Sequence, residues 1–111
     1  MDTMIESQRY NGWTNYETWN VKLWIDNDQG ERDYWFEQAR EMLDSAEPEY
    51  DWETKRGVAR TALAKALDQE IRTDRLPEGV TTGVYADLLN AALSSVNWNE
   101  IAENILEEIE G

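Results

Sequence analysis

The chain has no cysteine and no histidine, only two prolines and six glycines, and 10 Lys+Arg against 24 Asp+Glu. Each shortage removes a class of chemistry. Without Cys or His there is no thiolate nucleophile, no Ser-His or Cys-His relay, no zinc finger and no disulfide. A formal net charge of −14 repels phosphate, so direct binding to nucleic acid or to an anionic membrane is not expected. Nowhere do 18 apolar residues occur together, and the start Met1-Asp2-Thr3-Met4-Ile5-Glu6 has neither a basic flank nor an apolar run. A cytoplasmic protein without targeting or membrane segment is the expectation. What is present points to a folded core: 111 residues, 41% hydrophobic and 11% aromatic, are too apolar for a disordered acidic tail.

Apolar spacing of three and four residues recurs along the chain, and no segment alternates with period two, so the expected fold is an all-α, compact single-domain bundle of about five helices. Residues 1–12 are read as a flexible arm ending in the turn pair Asn11-Gly12, and 13–111 as the acidic helical domain. Helix one is expected over Asn15–Asn27, opened by a Thr14–Glu17 capping box, with Gly30 as a left-handed terminator. Helix two reaches about Ala46 with Trp35, Ala39, Met42, Leu43 and Ala46 on one face. Helix three runs from a cap at Asp51 to about Thr73, burying Ala59, Leu63, Ala66, Leu67 and Ile71. After a break at Asp74–Gly79, helix four starts at Thr81 or Thr82, with Tyr85, Leu88, Leu89 and Ala92 as its stripe and Gly83 as its weak point. Helix five, capped by Asn97 or Asn99, aligns Trp98, Ile101, Ala102, Ile105 and Ile109.

The charge is unevenly placed. Residues 51–76 hold five acids and six bases, whereas residues 77–111 hold seven acids and no base. Two carboxylate ladders follow from helical spacing: Asp33, Glu37, Glu41 and Asp44 on helix two, and Glu100, Glu103, Glu107 and Glu110 on helix five. At about 1.5 Å rise per residue such groups recur every ~4.5–6 Å, the scale of the phosphate repeat along one strand of a duplex. Solvation of an amphipathic face is the ordinary use of such a ladder. Helix five, however, lacks the lysines that would offset repulsion of roughly 0.2–0.5 kcal/mol per like-charged pair. It is expected to be the freer ladder, because Arg32 and Arg40 can neutralise part of helix two.

Seven of the twelve aromatics lie between Trp13 and Phe36. Tyr16, Trp19 and Leu23 share one side of helix one, Val21 and Ile25 the other, and Trp24 lies between. This helix is expected to be central and packed on both sides. The alternative is that Tyr16, Trp19 and Trp24 form a patch for a partner or a homodimer. Asp26, Asp28 and Glu37 have part of the spacing of a calcium loop, but its glycine is misplaced at Gly30, and a helix junction is the better reading. Glu107 and Glu108 could do acid-base work only in a cleft, which nothing in the sequence predicts. No catalytic residue, cofactor or metal site is expected.

The string Asn11-Gly12-Trp13-Thr14-Asn15-Tyr16-Glu17-Thr18-Trp19-Asn20-Val21, continued by Leu23-Trp24-Ile25-Asp26-Asn27-Asp28, resembles a family of small proteins of unknown function from bacteriophages and mobile elements. Val96-Asn97-Trp98-Asn99-Glu100-Ile101-Ala102-Glu103 is similar to that family's C-terminal helix. The resemblance implies a setting, the cytoplasm of a bacterial host, and brings no catalytic residues. Joined to the ladders, it leads to the expectation of a non-enzymatic inhibitor of restriction or CRISPR defence. Such an inhibitor mimics DNA or RNA and occupies the groove of a basic nucleic-acid-binding host protein. The competing expectation is an interaction module working through the aromatic surface of helix one.

Overall fold

Short polar side chains set where four of the five helices begin. In the computed structural model, which describes residues 10–78, 80 and 82–110, Asn15 caps α1 (Tyr16–Asn27). Its Oδ1 accepts from the Thr18 amide at 2.9 Å and from Thr18 Oγ1 at 2.6 Å. The expected Thr14–Glu17 box is therefore replaced, and the Thr14 amide donates to Glu100 Oε1 at 3.0 Å. Asp28 ends α1 and caps α2 (Gln29–Ser45), accepting from the Glu31 amide at 3.0 Å. Gly30 thus lies inside α2 rather than in a left-handed turn, because the Asp28 side chain already starts a new helix. Thr54, not Asp51, caps α3 (Lys55–Gln69), which widens into a π-helical turn over Glu70–Asp74. α4 spans Gly83–Ser94 and α5 spans Trp98–Glu110, where Asn97 Oδ1 accepts from the Glu100 amide at 3.1 Å. Residues 1–9 of the expected arm, Gly79 of the expected break and Thr81 lie outside the described residues. Five helices and no strand occur among the described ones, and the fold is an all-α single domain.

α2, α3 and α5 enclose the core. Trp35, Ala39, Ala59, Leu63, Leu67, Ile101, Ala102, Ile105 and Leu106 are all fully buried. The alanines let helices approach closely around Trp35, and each fully buried large side chain contributes roughly 1.5–3 kcal/mol. Ala66, Ile71, Met42, Leu43, Ala46, Trp98 and Ile109 pack half-buried around that centre.

Two helices depart from expectation. α1 is not a central helix with two apolar sides: its buried residues are Thr18, Lys22 and Ile25, with Tyr16 and Trp24 exposed. A hydroxyl and an ammonium can be buried there because each has partners across α1 and α5. In α4 the expected stripe splits, since Tyr85 and Leu88 are exposed while Ala86, Leu89 and Leu93 are half-buried toward the bundle. No residue of α4 is fully buried. Gly83 at its start has φ +88°, a conformation that glycine adopts without strain, so it turns the chain into the helix rather than weakening it.

Candidate functional site

The α2 ladder forms as spaced: Asp33, Glu37, Glu41 and Asp44 are all exposed. Gln29 Nε2 donates to Asp33 Oδ1 at 3.0 Å, and Lys55 Nζ lies 3.4 Å from the backbone carbonyl of Asp44. Among the described residues no ion pair reaches any of the four carboxylates. Arg32 and Arg40, the expected neutralisers, instead stand over the Phe36 ring at 4.7 and 5.9 Å from its centroid. Both guanidiniums are thus held on the Phe36 side of the helix.

The α5 ladder has a different environment, because α3 packs against it and brings its cations with it. Arg56 Nη1 lies 2.6 Å from Glu103 Oε2, and Arg60 Nη1 3.5 Å from Glu103 Oε1. Arg56 Nε stands 3.0 Å from Glu110 Oε1 without the alignment of a hydrogen bond, so that contact is coulombic. Burial works against the Arg56 charge, but Glu103, Glu110 and Glu107 outweigh it and hold the guanidinium above its ordinary value. Glu100 is taken by the Thr14 amide. The ladder expected to be freer is the one the fold engages.

Three further cations are engaged in the same way. Arg72 pairs with Asp68 at 3.3 Å. Arg75 bridges Glu31 at 2.6 Å and Glu70 at 3.1 Å; Glu31 first, then Glu70, keep it above its usual value against the cost of burial. The π-helical turn makes this possible, because its bond from the Arg75 amide to the Glu70 carbonyl at 2.9 Å sets residues five apart side by side. Tyr34 donates to both Glu70 oxygens at 3.0 Å, and burial followed by that carboxylate raises its pKa, with Arg75 opposing. Lys22, with 3% of its side chain exposed, donates to Asp26 at 2.7 and 2.8 Å and to Glu108 at 3.1 Å. Five cations, Lys22, Arg56, Arg60, Arg72 and Arg75, thereby engage seven carboxylates. Sequence reasoning missed the Lys22 centre; its one signal was a lysine four residues before an aspartate on a largely apolar helix.

Of the aromatic candidates, Tyr16 and Trp19 are covered in part by Tyr10, whose ring lies 5.1 and 4.7 Å from theirs. The turn that places Tyr10 there is a tight one through Asn11 (φ 48°) and Gly12 (φ 87°), closed by reciprocal Tyr10 and Trp13 amide bonds of 2.8 and 2.7 Å. Trp24 is 66% exposed. The N-terminal and C-terminal strings singled out in the sequence meet in space. Asn15 Nδ2 donates to the Ser95 carbonyl at 2.6 Å, the Asn97 amide to Thr18 Oγ1 at 2.9 Å, and Asn97 Nδ2 to Thr14 Oγ1 at 3.3 Å. Their polar residues form a clasp between the starts of α1 and α5. Asp26 and Asp28 are engaged with Lys22 and the α2 cap, and among the described residues no group of three or more acidic side chains is placed to hold a metal.

Fold and site define a small acidic helical domain in which five cations are engaged internally and, among the described residues, the carboxylate stripe on α2 has no ion pair. The sequence matches, over residues 6–110, a family described as a family of unknown function, DUF7249, and the chain belongs to that family. No curated protein and no solved structure gives a significant match. No helix among the described residues is long and apolar enough to cross a membrane.

Proposed function

We propose that this is a phage- or plasmid-encoded, non-enzymatic inhibitor of a host restriction or CRISPR system, which uses the α2 stripe as a mimic of nucleic-acid phosphates. The observation that carries the reading is the exposure of Asp33, Glu37, Glu41 and Asp44 with no ion pair to any of them among the described residues. Carboxylates already paired within the fold would have to give up those pairs to meet a partner's arginines; those on α2 would not. Glu107, exposed beside the engaged Glu103 and Glu110, adds to the field from α5. The cytoplasmic setting comes from the resemblance to phage and mobile-element proteins.

The test is inhibition of purified restriction endonucleases and CRISPR effector complexes. Inhibition should be relieved by excess target DNA, weaken steeply as salt rises, and fall at least tenfold for Glu37→Gln with Glu41→Gln. Inhibition indifferent to salt, DNA and both substitutions would overturn the mimic reading, as would a complete absence of inhibition. The exposure of Trp24 favours a second reading, an interaction module on α1. In that case Trp24→Ala, and not the glutamine changes, abolishes binding.

A further inference from the structure

Outside the charged stripes one surface stands apart. Between Gly79 and Asn97 the only charged residue is Asp87, in a chain of net charge −14. α4 turns Ala86, Leu89 and Leu93 toward Arg72, Leu76 and Val80, with Leu93 reaching the core, and its opposite side exposes Val84 at 64%, Tyr85 at 69% and Leu88 at 63%. A surface helix normally turns its second face polar. Here both faces are apolar, and Asp87, Asn90 and Ser94 form a narrow polar edge between them.

We propose that two copies of this chain associate through the outward face of α4, with the two helices antiparallel about a two-fold axis at Leu88. The pattern along the face is self-complementary: with Leu88 opposite Leu88, Tyr85 meets Ala91 and Val84 meets Ala92 of the other copy. Large side chains then lie over small ones on both sides of the axis, as a symmetric interface needs. A basic partner would be drawn to the carboxylate stripes, whereas a neutral face draws none. Two chains of like charge are repelled least where charge is sparsest. Val84, Tyr85 and Leu88 offer about 400 Å² per copy, and with their rims a pair buries on the order of 1,000 Å², the lower end of specific interfaces. Interfaces of that size belong to weak, reversible associations.

The proposal stands independently of the mimic reading, and salt separates the two: dimerisation should strengthen as salt screens the like charges, while binding to a basic groove weakens. Sedimentation equilibrium of the full chain from 1 µM to 1 mM should show a monomer–dimer transition, with Leu88→Glu raising the dissociation constant at least tenfold and far-UV circular dichroism unchanged. Because the chain contains no cysteine, Leu88→Cys introduces one thiol at the axis. Mild oxidation should link that variant into dimers at least ten times faster than Asp87→Cys on the polar edge. A wild-type chain that stays monomeric to 1 mM, a dimer unaffected by Leu88→Glu or weakened by salt, or equal oxidation of the two cysteine variants would each overturn the proposal.

Discussion

Neutralising the partners of Lys22 should cost more than replacing Lys22 itself. The Lys22 side chain is 3% exposed, while those of Asp26 and Glu108 are each 36% exposed. Asp26→Asn combined with Glu108→Gln leaves a buried ammonium facing neutral acceptors. An uncompensated buried charge costs about 3–5 kcal/mol, and the lower figure applies here because the amides still accept weaker hydrogen bonds. Lys22→Met keeps the length of the buried stem and leaves two carboxylates that water reaches. Their mutual repulsion and the lost pairing are offset by removal of the ammonium's desolvation, so the net loss should be about 1 kcal/mol. The difference, about 2 kcal/mol, corresponds to a melting temperature lower by roughly 8 °C or more for the double variant in a domain of this size. Urea unfolding at equilibrium measures both, with unchanged slopes showing that the same surface is exposed. Equal losses, or a greater loss for Lys22→Met, would refute the argument, since they would mean that water reaches the ammonium as freely as the carboxylates.

Three further outcomes test the site. Glu103→Gln should destabilise the fold by about 1 kcal/mol by taking a partner from Arg56 and Arg60, whereas Glu37→Gln with Glu41→Gln should change it by less than about 0.5 kcal/mol; urea midpoints decide. Burial first, and then the Glu70 carboxylate, hold the Tyr34 hydroxyl above its ordinary pKa, so the stabilisation from keeping it protonated is fully present below that ordinary value and lost as pH rises through the higher folded one. Tyrosinate absorbance should accordingly show a late-titrating component that Tyr34→Phe removes; its persistence in that variant would assign it to another tyrosine. Thr18→Val keeps the shape of a fully buried side chain but leaves the Asn97 amide without its acceptor, so thermal unfolding should report a loss of about 1–3 kcal/mol.

Helix number, order and most of the buried faces were legible because periodicity is a local property. Ala59, Leu63 and Leu67, or Ile101, Ala102 and Ile105, announce their face whatever packs on it. Boundaries were less so, since Asn15, Asp28, Thr54 and Asn97 compete with neighbouring cap formers, and only the three-dimensional path decides which one caps. The reading of α1 failed for a physical reason. Counting aromatics measures apolar area, but Thr18 and Lys22 are buried because Asn97 at the cap of α5 and Glu108 within it satisfy them, and that pairing is 79 and 86 residues away in sequence. α4 misled in the opposite sense: its composition says core, yet Val84, Tyr85 and Leu88 on one of its apolar faces are exposed.

The two carboxylate ladders make the same point for the site. In sequence they differ little, and the bases beside them, Arg32 and Arg40 on α2 against none on α5, suggested that α5 was the freer. Pair energies fall with distance and geometry rather than with sequence separation, so the cation that matters is the one a neighbouring helix delivers. α3 delivers Arg56 and Arg60 to Glu103 and Glu110, while Arg32 and Arg40, though on the same helix as Asp33, Glu37 and Glu41, are held over Phe36. Charge available to a partner is therefore what remains after internal pairing. On that basis, glutamine substitutions on α2 should act on binding without acting on stability, and the same change at Glu103 should act on stability first.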